Sequence, residues 1–183
     1  MLISAGAQLE CPDVDGLYPI HRAARLGTQP EILEMMLRAK ACVHLRDSAG
    51  RGALHHAAKT DGGENLVKML IEASAAVDVN ALDENGCSAL HVASSAPQCK
   101  FMLALIDAGA DIEVTGEGGR TPLLQALFCE KPTLIESVKL LITAKANIEA
   151  RGGDGSEDSS KTALHFGMYS HLHSSSIDHS QGY

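Results

Sequence analysis

The stretch Ser88-Ala89-Leu90-His91, followed by Val92 and Ala93, decides the fold of this 183-residue chain because close copies of it recur. The other copies are Tyr18-Pro19-Ile20-His21, Gly52-Ala53-Leu54-His55, Thr121-Pro122-Leu123-Leu124 and Thr162-Ala163-Leu164-His165. Their fourth residues fall at positions 21, 55, 91, 124 and 165, with steps of 34, 36, 33 and 41 residues. A repeat of this period predicts a stacked solenoid, in which each unit covers the apolar face of its neighbour.

Each copy of the phrase is predicted to start a helix. Ser88 and Thr121 supply capping hydroxyls, and Pro122 suits a first helical position because no amide partner is needed there. A second helix should follow, since apolar residues recur at offsets of three and four and mark one buried stripe. The clearest stripes are Ile32, Leu33, Met36 and Leu37, and Leu66, Val67, Leu70 and Ile71. Turns are expected two or three residues before the phrase, at Gly16, Gly50, Gly86 and Gly119.

The phrase resembles the T-P-L-H-x-A signature of the ankyrin repeat, and Leu105-Ile106-Asp107-Ala108-Gly109-Ala110 resembles the ending of that repeat. The resemblance implies an all-α solenoid of helix-turn-helix units joined by β-hairpin-like fingers. It also implies that the phrase histidines bond the turns of neighbouring repeats, because an imidazole can donate from one nitrogen and accept at the other. These histidines are His21, His55, His91 and His165. Leu124 replaces the histidine in the fourth copy, so that joint should lose its polar link and be weaker.

The repeat spacing predicts the organisation of the chain. Residues 14–47, 48–83, 84–116 and 117–152 are predicted to be four ankyrin repeats, after the C-terminal half of a truncated repeat at 1–13. Residues 153–170 should be a flexible loop and a partial repeat, and 171–183 a disordered tail rich in serine and histidine. From the two incomplete ends we expect a fragment of a longer array.

Charge and composition narrow the class of partner. The net charge is −8, and residues 61–183 hold eight Lys or Arg against seventeen Asp or Glu. The acidic residues cluster near the predicted fingers, so a partner with a basic patch is expected and nucleic acid is not. Aromatic residues are only 3% of the chain, which leaves few stacking platforms for single-stranded nucleic acid.

No cofactor, metal site or membrane contact is expected. The five cysteines are widely spaced and odd in number, which predicts neither a disulfide framework nor a zinc module. His55-His56 and the tail histidines His171, His173 and His179 are candidate metal ligands, but a structural or disordered role is the preferred interpretation. With no secretory signal or membrane-spanning run, an intracellular location is expected, cytoplasmic by default with the nucleus as an alternative.

The predicted function is a non-catalytic protein–protein interaction module, because no nucleophile, base or metal constellation is recognisable. Buried positions repeat from unit to unit while finger and inner-helix positions vary, which is typical of a recognition scaffold. The predicted contact residues lie on the inner helices and the fingers, and His56 is expected to be exposed. They are Arg22, Arg25, Arg46, Arg51, His56, Lys59, Glu84, Asn85, Val92, Glu113, Glu117, Arg120, Gln125 and Phe128.

Two alternatives stay open. Ankyrin arrays are often joined to other domains, so the chain could be a targeting or regulatory segment of a kinase, an acyltransferase, a ubiquitin-ligase receptor or a channel. In addition, Asp78-Val79-Asn80-Ala81 is similar to the sequence around finger asparagines that are hydroxylated in some ankyrin repeats. Two extra residues, as in Ala75-Ala76-Val77-Asp78-Val79-Asn80, displace Asn80 relative to the leucine pair before it, so the modification is not the preferred interpretation.

Overall fold

A computed structural model describes residues 8–27, 29–60, 63–73, 77–96, 99–128, 135–152 and 162. In this part of the chain there are eight α-helices and one short 3-10 helix. They are α1 (Pro19–Arg25), α2 (Pro30–Arg38), α3 (Ala53–Ala57), α4 (Gly63–Ala73), α5 (Ala89–Ser94), α6 (Cys99–Asp107), the 3-10 helix (Glu117–Gly119), α7 (Pro122–Phe128) and α8 (Ile135–Thr143). Apart from isolated bridges between Leu82 and Ser88 and between Arg151 and Thr162, the described residues form no β-structure, which confirms the predicted all-α class.

The helices form two rows. The inner helices α1, α3, α5 and α7 contact one another in chain order, and the outer helices α2, α4, α6 and α8 do the same. Each outer helix also packs on the inner helix of its own repeat. Every helix therefore buries one side against its own repeat and further surface against the next, as expected for a solenoid.

The inner helices begin where the phrase predicts. Each starts directly after Tyr18, Gly52, Ser88 or Thr121. The hydroxyls of Ser88 and Thr121 accept hydrogen bonds from the backbone N–H groups of His91 and Leu124, each at 3.4 Å. These contacts confirm the predicted caps and satisfy backbone donors that the first helical turn leaves unpaired.

The core lies between the two rows and runs through all described repeats. Leu66, Val67 and Leu70 of α4 are completely buried, which confirms their stripe. In α2 the stripe is narrower than predicted, because Leu33 and Met36 are buried while Ile32 is exposed. Ile32 lines an open groove with Leu17 and Leu26 at the N-terminal side of the first repeat, and no described residue covers it.

The turns between repeats use glycine as predicted. Gly16, Gly50, Gly86 and Gly119 have φ between 65° and 73°, the left-handed region that residues with a Cβ rarely adopt. No helix among the described residues has the length and apolar character needed to cross a membrane. The half-repeat at 1–13 is described only from residue 8, the segment 153–170 only at Thr162, and the tail 171–183 not at all; the predicted boundaries stay predictions.

Candidate functional site

Three of the phrase histidines join one repeat to the next. The Nδ1 atoms of His21, His55 and His91 accept from the backbone N–H groups of Tyr18, Gly52 and Ser88 at 3.3, 3.2 and 3.1 Å. Their Nε2 atoms lie 2.9, 3.0 and 2.9 Å from the carbonyl oxygens of Leu45, Cys87 and Arg120 in the following finger. Since Nδ1 is an acceptor, each neutral ring carries its proton on Nε2 and donates it to the carbonyl. The predicted joint is confirmed for these three; His165 lies outside the described residues.

Burial keeps these histidines neutral. It lowers the pKa of His21, His55 and His91 from the ordinary value of 6.5, although the bond to the next finger acts in the opposite direction. The neutral form has one donor and one acceptor, which is what each joint uses. Protonation would put a second proton on Nδ1, which would face the backbone N–H that it now accepts from.

The fourth joint is apolar. Leu124 occupies the histidine position and is only 1% exposed. A Cβ placed on Gly152 would come within 2.8 Å of Leu124 Cδ1, so the leucine fills the space beside that glycine. A leucine side chain has no donor or acceptor, so this joint lacks the histidine link, as predicted.

An aspartate braces each of the first three finger turns. Oδ1 of Asp13, Asp47 and Asp83 accepts two backbone N–H groups, from the residues two and four positions later. The fourth finger has Gly116 at this place, and its turn keeps the backbone bond from Gly116 N–H to the Arg120 carbonyl at 2.9 Å. The described fingers are therefore of two kinds, three with a carboxylate brace and one without it.

Asp47 holds a larger cluster than the other two aspartates. Its Oδ2 accepts from Arg51 Nε and from His56 Nε2, both at 2.9 Å. Burial alone would raise the pKa of Asp47, but the hydrogen bonds from backbone and side chains lower it to about 2. This carboxylate is therefore ionised throughout the physiological range.

The prediction that His56 is exposed is wrong. The residue is only 5% exposed, and its ring stacks on that of His21 at 5.0 Å between centroids. Burial lowers the pKa of His56 to about 4, despite the bond to Asp47 that acts against this shift. His56 thus links the second inner helix to the finger before it and to the first inner helix. It cannot present its ring to a partner without leaving this cluster.

The other predicted contact residues lie in or next to the fingers and inner helices, and their exposure differs. The exposed ones are Arg22, Arg25, Arg46, Lys59, Glu84, Asn85, Glu113, Glu117 and Phe128. Arg51, Val92, Arg120 and Gln125 are half-buried. Arg22 already pairs with Asp13 and Asp15, each at 2.7 Å, and Arg51 is held by Asp47.

Asn80 takes part in a contact between neighbouring fingers. Its Oδ1 accepts from the backbone N–H of Asp111 at 2.7 Å, and Glu113 Oε1 accepts in the same way from Asn147 N–H at 2.7 Å. Asn80 and Glu113 therefore occupy equivalent positions. Asn80 follows Leu70 by ten residues whereas Glu113 follows Leu105 by eight, so Asn80 is displaced relative to the preceding leucine although its finger contact is the same. Hydroxylation of Asn80 stays an open alternative.

Sequence reasoning missed the Asp47–His56 contact. A signal for the brace was present, since Asp13, Asp47 and Asp83 each stand three residues before a turn glycine. No comparable signal marked His56, because its position holds Arg22, Val92 and Gln125 in the other repeats. Within the described residues, no group of three or more His, Cys, Asp or Glu side chains is placed to hold a metal ion.

Comparison with known families agrees with this geometry. The family model described as "Ankyrin repeats (3 copies)" matches residues 1–83, 20–116 and 65–152 in overlapping segments. Together the matches extend over residues 1–152 of the 183. They include the three histidine joints, the three braced fingers and the leucine joint. The chain therefore belongs to the ankyrin repeat family.

Proposed function

We propose that this chain is a non-catalytic protein-interaction module that contacts its partner through the fingers and the exposed side of the inner helices. Ankyrin repeats are generally protein–protein interaction modules, and the family is typically non-catalytic. One observation carries the proposal to particular residues. The buried scaffold positions hold similar residues in every repeat. By contrast, the position seven residues after the start of each phrase is never fully buried, and it holds Arg25, Lys59, Ser95 and Phe128 in successive repeats.

The second and third fingers support this role because they are fixed to each other. Arg46 Nη1 donates to the carbonyls of Gly50 at 2.9 Å and Leu82 at 2.8 Å, and the backbone N–H of Glu84 donates to the Ala49 carbonyl at 3.0 Å. A surface that is already ordered loses less conformational entropy on binding. Arg46 is thus a residue that positions the fingers as well as a candidate contact.

The exposed acids on the fingers favour a basic patch on the part of the partner that faces them. Glu84, Glu113 and Glu117 are exposed, whereas Asp47 is buried and paired within the scaffold. Charges of this kind steer association and fix orientation more than they add affinity. The finger edge should therefore give binding that weakens as salt is raised.

Site-specific photo-crosslinking tests the proposal. A photoreactive phenylalanine analogue at Glu84, on a finger, should capture a discrete protein in extracts of cells that express the chain. The matched control carries the analogue at Leu103, an outer-helix residue with a half-exposed side chain. Capture from Glu84 but not from Leu103 is the expected result. Equal capture at both positions, or none at Glu84, would contradict the proposal.

A further inference from the structure

The inner helices differ in charge from the rest of this acidic protein. Their sequences, PIHRAAR, ALHHA, ALHVAS and PLLQALF, contain no Asp or Glu. Each outer helix contains at least one acid, for example Glu34 in α2 and Glu64 in α4. The net charge of −8 therefore does not describe the inner-helix surface.

Four residues at equivalent positions define what is here called the inner-helix row: Arg25, Lys59, Ser95 and Phe128. Arg25 and Phe128 are the last residues of α1 and α7, Ser95 directly follows α5, and Lys59 lies two residues after α3. Because these four helices contact one another in order, the row follows their C-terminal ends from repeat to repeat. Arg25 and Lys59 are exposed, and neither has an ion-pair partner among the described residues. By contrast, the exposed outer-helix cations Arg38 and Lys68 pair with Glu34 and Glu64.

The other end of the row is aromatic. Phe128 is 49% exposed, and the Arg120 guanidinium carbon lies 3.9 Å from the centroid of its ring. Gly116 stands where an aspartate braces the earlier fingers, so Arg120 has no equivalent of the Asp47 carboxylate that holds Arg51. Stacking restrains both side chains while leaving ring surface accessible, and aromatic and arginine side chains are enriched among residues that dominate interface energy.

We propose that the inner-helix row binds an extended acidic segment of the partner, with carboxylates against Arg25 and Lys59 and an apolar side chain against Phe128. Packed helices lie about 8–10 Å apart, and an extended chain advances about 3.3 Å per residue. The apolar side chain should therefore follow or precede the carboxylates by about five to nine residues. This inference rests on the proposed function and adds the chemistry of one part of the partner, distinct from the basic patch that faces the fingers.

Selection from a random twelve-residue peptide library on the full chain tests the proposal. Enriched peptides should combine acidic residues with an apolar residue at that separation. The variant Arg25→Glu/Lys59→Glu should weaken their binding about tenfold or more, because two attractive contacts become repulsive. Arg25→Gln/Lys59→Gln should have a smaller effect in the same direction, and it remains informative if charge reversal perturbs folding.

The matched control is Lys100→Glu/Lys139→Glu, which makes the same change in net charge on exposed outer-helix positions. It should change peptide affinity by less than about twofold, since screening limits the effect of distant charges. Enrichment of basic or neutral peptides, absence of enrichment, or an equal loss in the control would overturn the proposal. A twelve-nucleotide single strand of nucleic acid serves as a second competitor. The proposal would also be overturned if this strand displaced an enriched peptide at a lower concentration than the unlabelled peptide does.

The two proposals can fail separately. If crosslinking from Glu84 captures a protein and Arg25→Glu/Lys59→Glu retains it with unchanged affinity, only the acidic-segment inference fails. If crosslinking from Glu84 captures nothing, the proposed function itself fails. The peptide selection does not depend on identifying the natural partner, so each result assigns the failure to one proposal.

Discussion

Two neighbouring joints of this array connect one repeat to the next with different chemistry. His91 donates to the Arg120 carbonyl in the next finger at 2.9 Å, whereas Leu124, at the same position one repeat later, fills the space beside Gly152. A protein hydrogen bond contributes about 0.5–1.5 kcal/mol net, and burial of a leucine side chain about 1.5–3 kcal/mol. The apolar contact therefore offsets the lost polar one, so we expect the fourth joint to match the others at neutral pH rather than to be weaker, as the sequence pattern suggested. The joints should differ instead in their response to acid.

The repeats with a histidine joint and the repeat with the leucine joint also differ in the residues that they expose along the inner-helix row. Arg25 and Lys59, which have no ion-pair partner within the described ranges, lie on repeats with a histidine joint, and Phe128 lies on the repeat with the leucine joint. Arg51 is held by the Asp47 brace, whereas Arg120, beside the unbraced fourth finger, stacks on Phe128. The change in scaffold chemistry thus coincides with a change in the chemistry offered to a partner.

Truncation of the leucine joint should have the largest effect. Leu124→Ala leaves a cavity at a site that is almost completely buried, and should lower the free energy of unfolding by about 3 kcal/mol. Urea titration followed by circular dichroism would measure it. Leu103→Ala, at a half-exposed outer-helix position, is the control and should cost clearly less. Equal losses would show that the fourth joint contributes little to stability.

Removing the aspartate that braces a finger should have the second-largest effect on stability. Asp47→Ala leaves two backbone N–H groups, Arg51 and His56 without their acceptor, and should cost about 2–3 kcal/mol. Asp83→Ala removes an acceptor only from the N–H groups of Asn85 and Cys87, so it should cost less. The same urea titration would compare them. A larger loss for Asp83→Ala would contradict the importance assigned to the Asp47 cluster.

Acid should destabilise both the Asp47–His56 contact and the histidine joints. Because the pKa of His56 is about 4 in the folded chain and 6.5 ordinarily, the unfolded chain binds more protons between these values. The stabilisation is present above pH 6.5 and is lost as the pH falls toward 4. The lowered pKa values of His21, His55 and His91 act in the same direction.

Between pH 7 and 5.5 the His56 contribution should fall by about 1 kcal/mol. Urea titrations at the two pH values would measure this change. His56→Gln should show a smaller acid loss than the unsubstituted chain, whereas the exposed His44→Gln should show the same loss. An unchanged acid loss in His56→Gln would contradict the assignment of this proton.

The smallest effect is expected from converting one joint into the other. His91→Leu places a leucine beside Gly116, much as Leu124 lies beside Gly152. At pH 7 the free energy of unfolding should change by less than about 1 kcal/mol, because apolar burial replaces the hydrogen bonds. The decrease in the free energy of unfolding between pH 7 and 5.5 should become smaller in the same titrations. A severe loss at pH 7 would show that the two joint chemistries are not interchangeable.

Sequence alone was sufficient for the positions of the inner helices, the turn glycines and the histidine joints, because each depends on contacts repeated from unit to unit. It failed where one repeat differs. The residue at the His56 position differs between repeats, which predicts an exposed side chain, but the ring stacks on His21 and bonds to Asp47. Ile32 fits the apolar period of α2, yet the period does not determine whether a neighbour covers the first repeat. Both errors concern contacts between elements that local pattern does not encode.

The most direct test of the two joint chemistries is amide hydrogen exchange at pH 7 and 5.5, expressed as protection factors so that intrinsic exchange rates cancel. The N–H groups of Asp83 and Gly116 donate to the carbonyls of Cys87 and Arg120, which also accept from His55 and His91. The Ala150 N–H lies in the finger at the leucine joint and donates to the Asn147 carbonyl. On acidification, protection at Asp83 and Gly116 should fall relative to Ala150. An equal change at all three amides, or a larger fall at Ala150, would contradict the account.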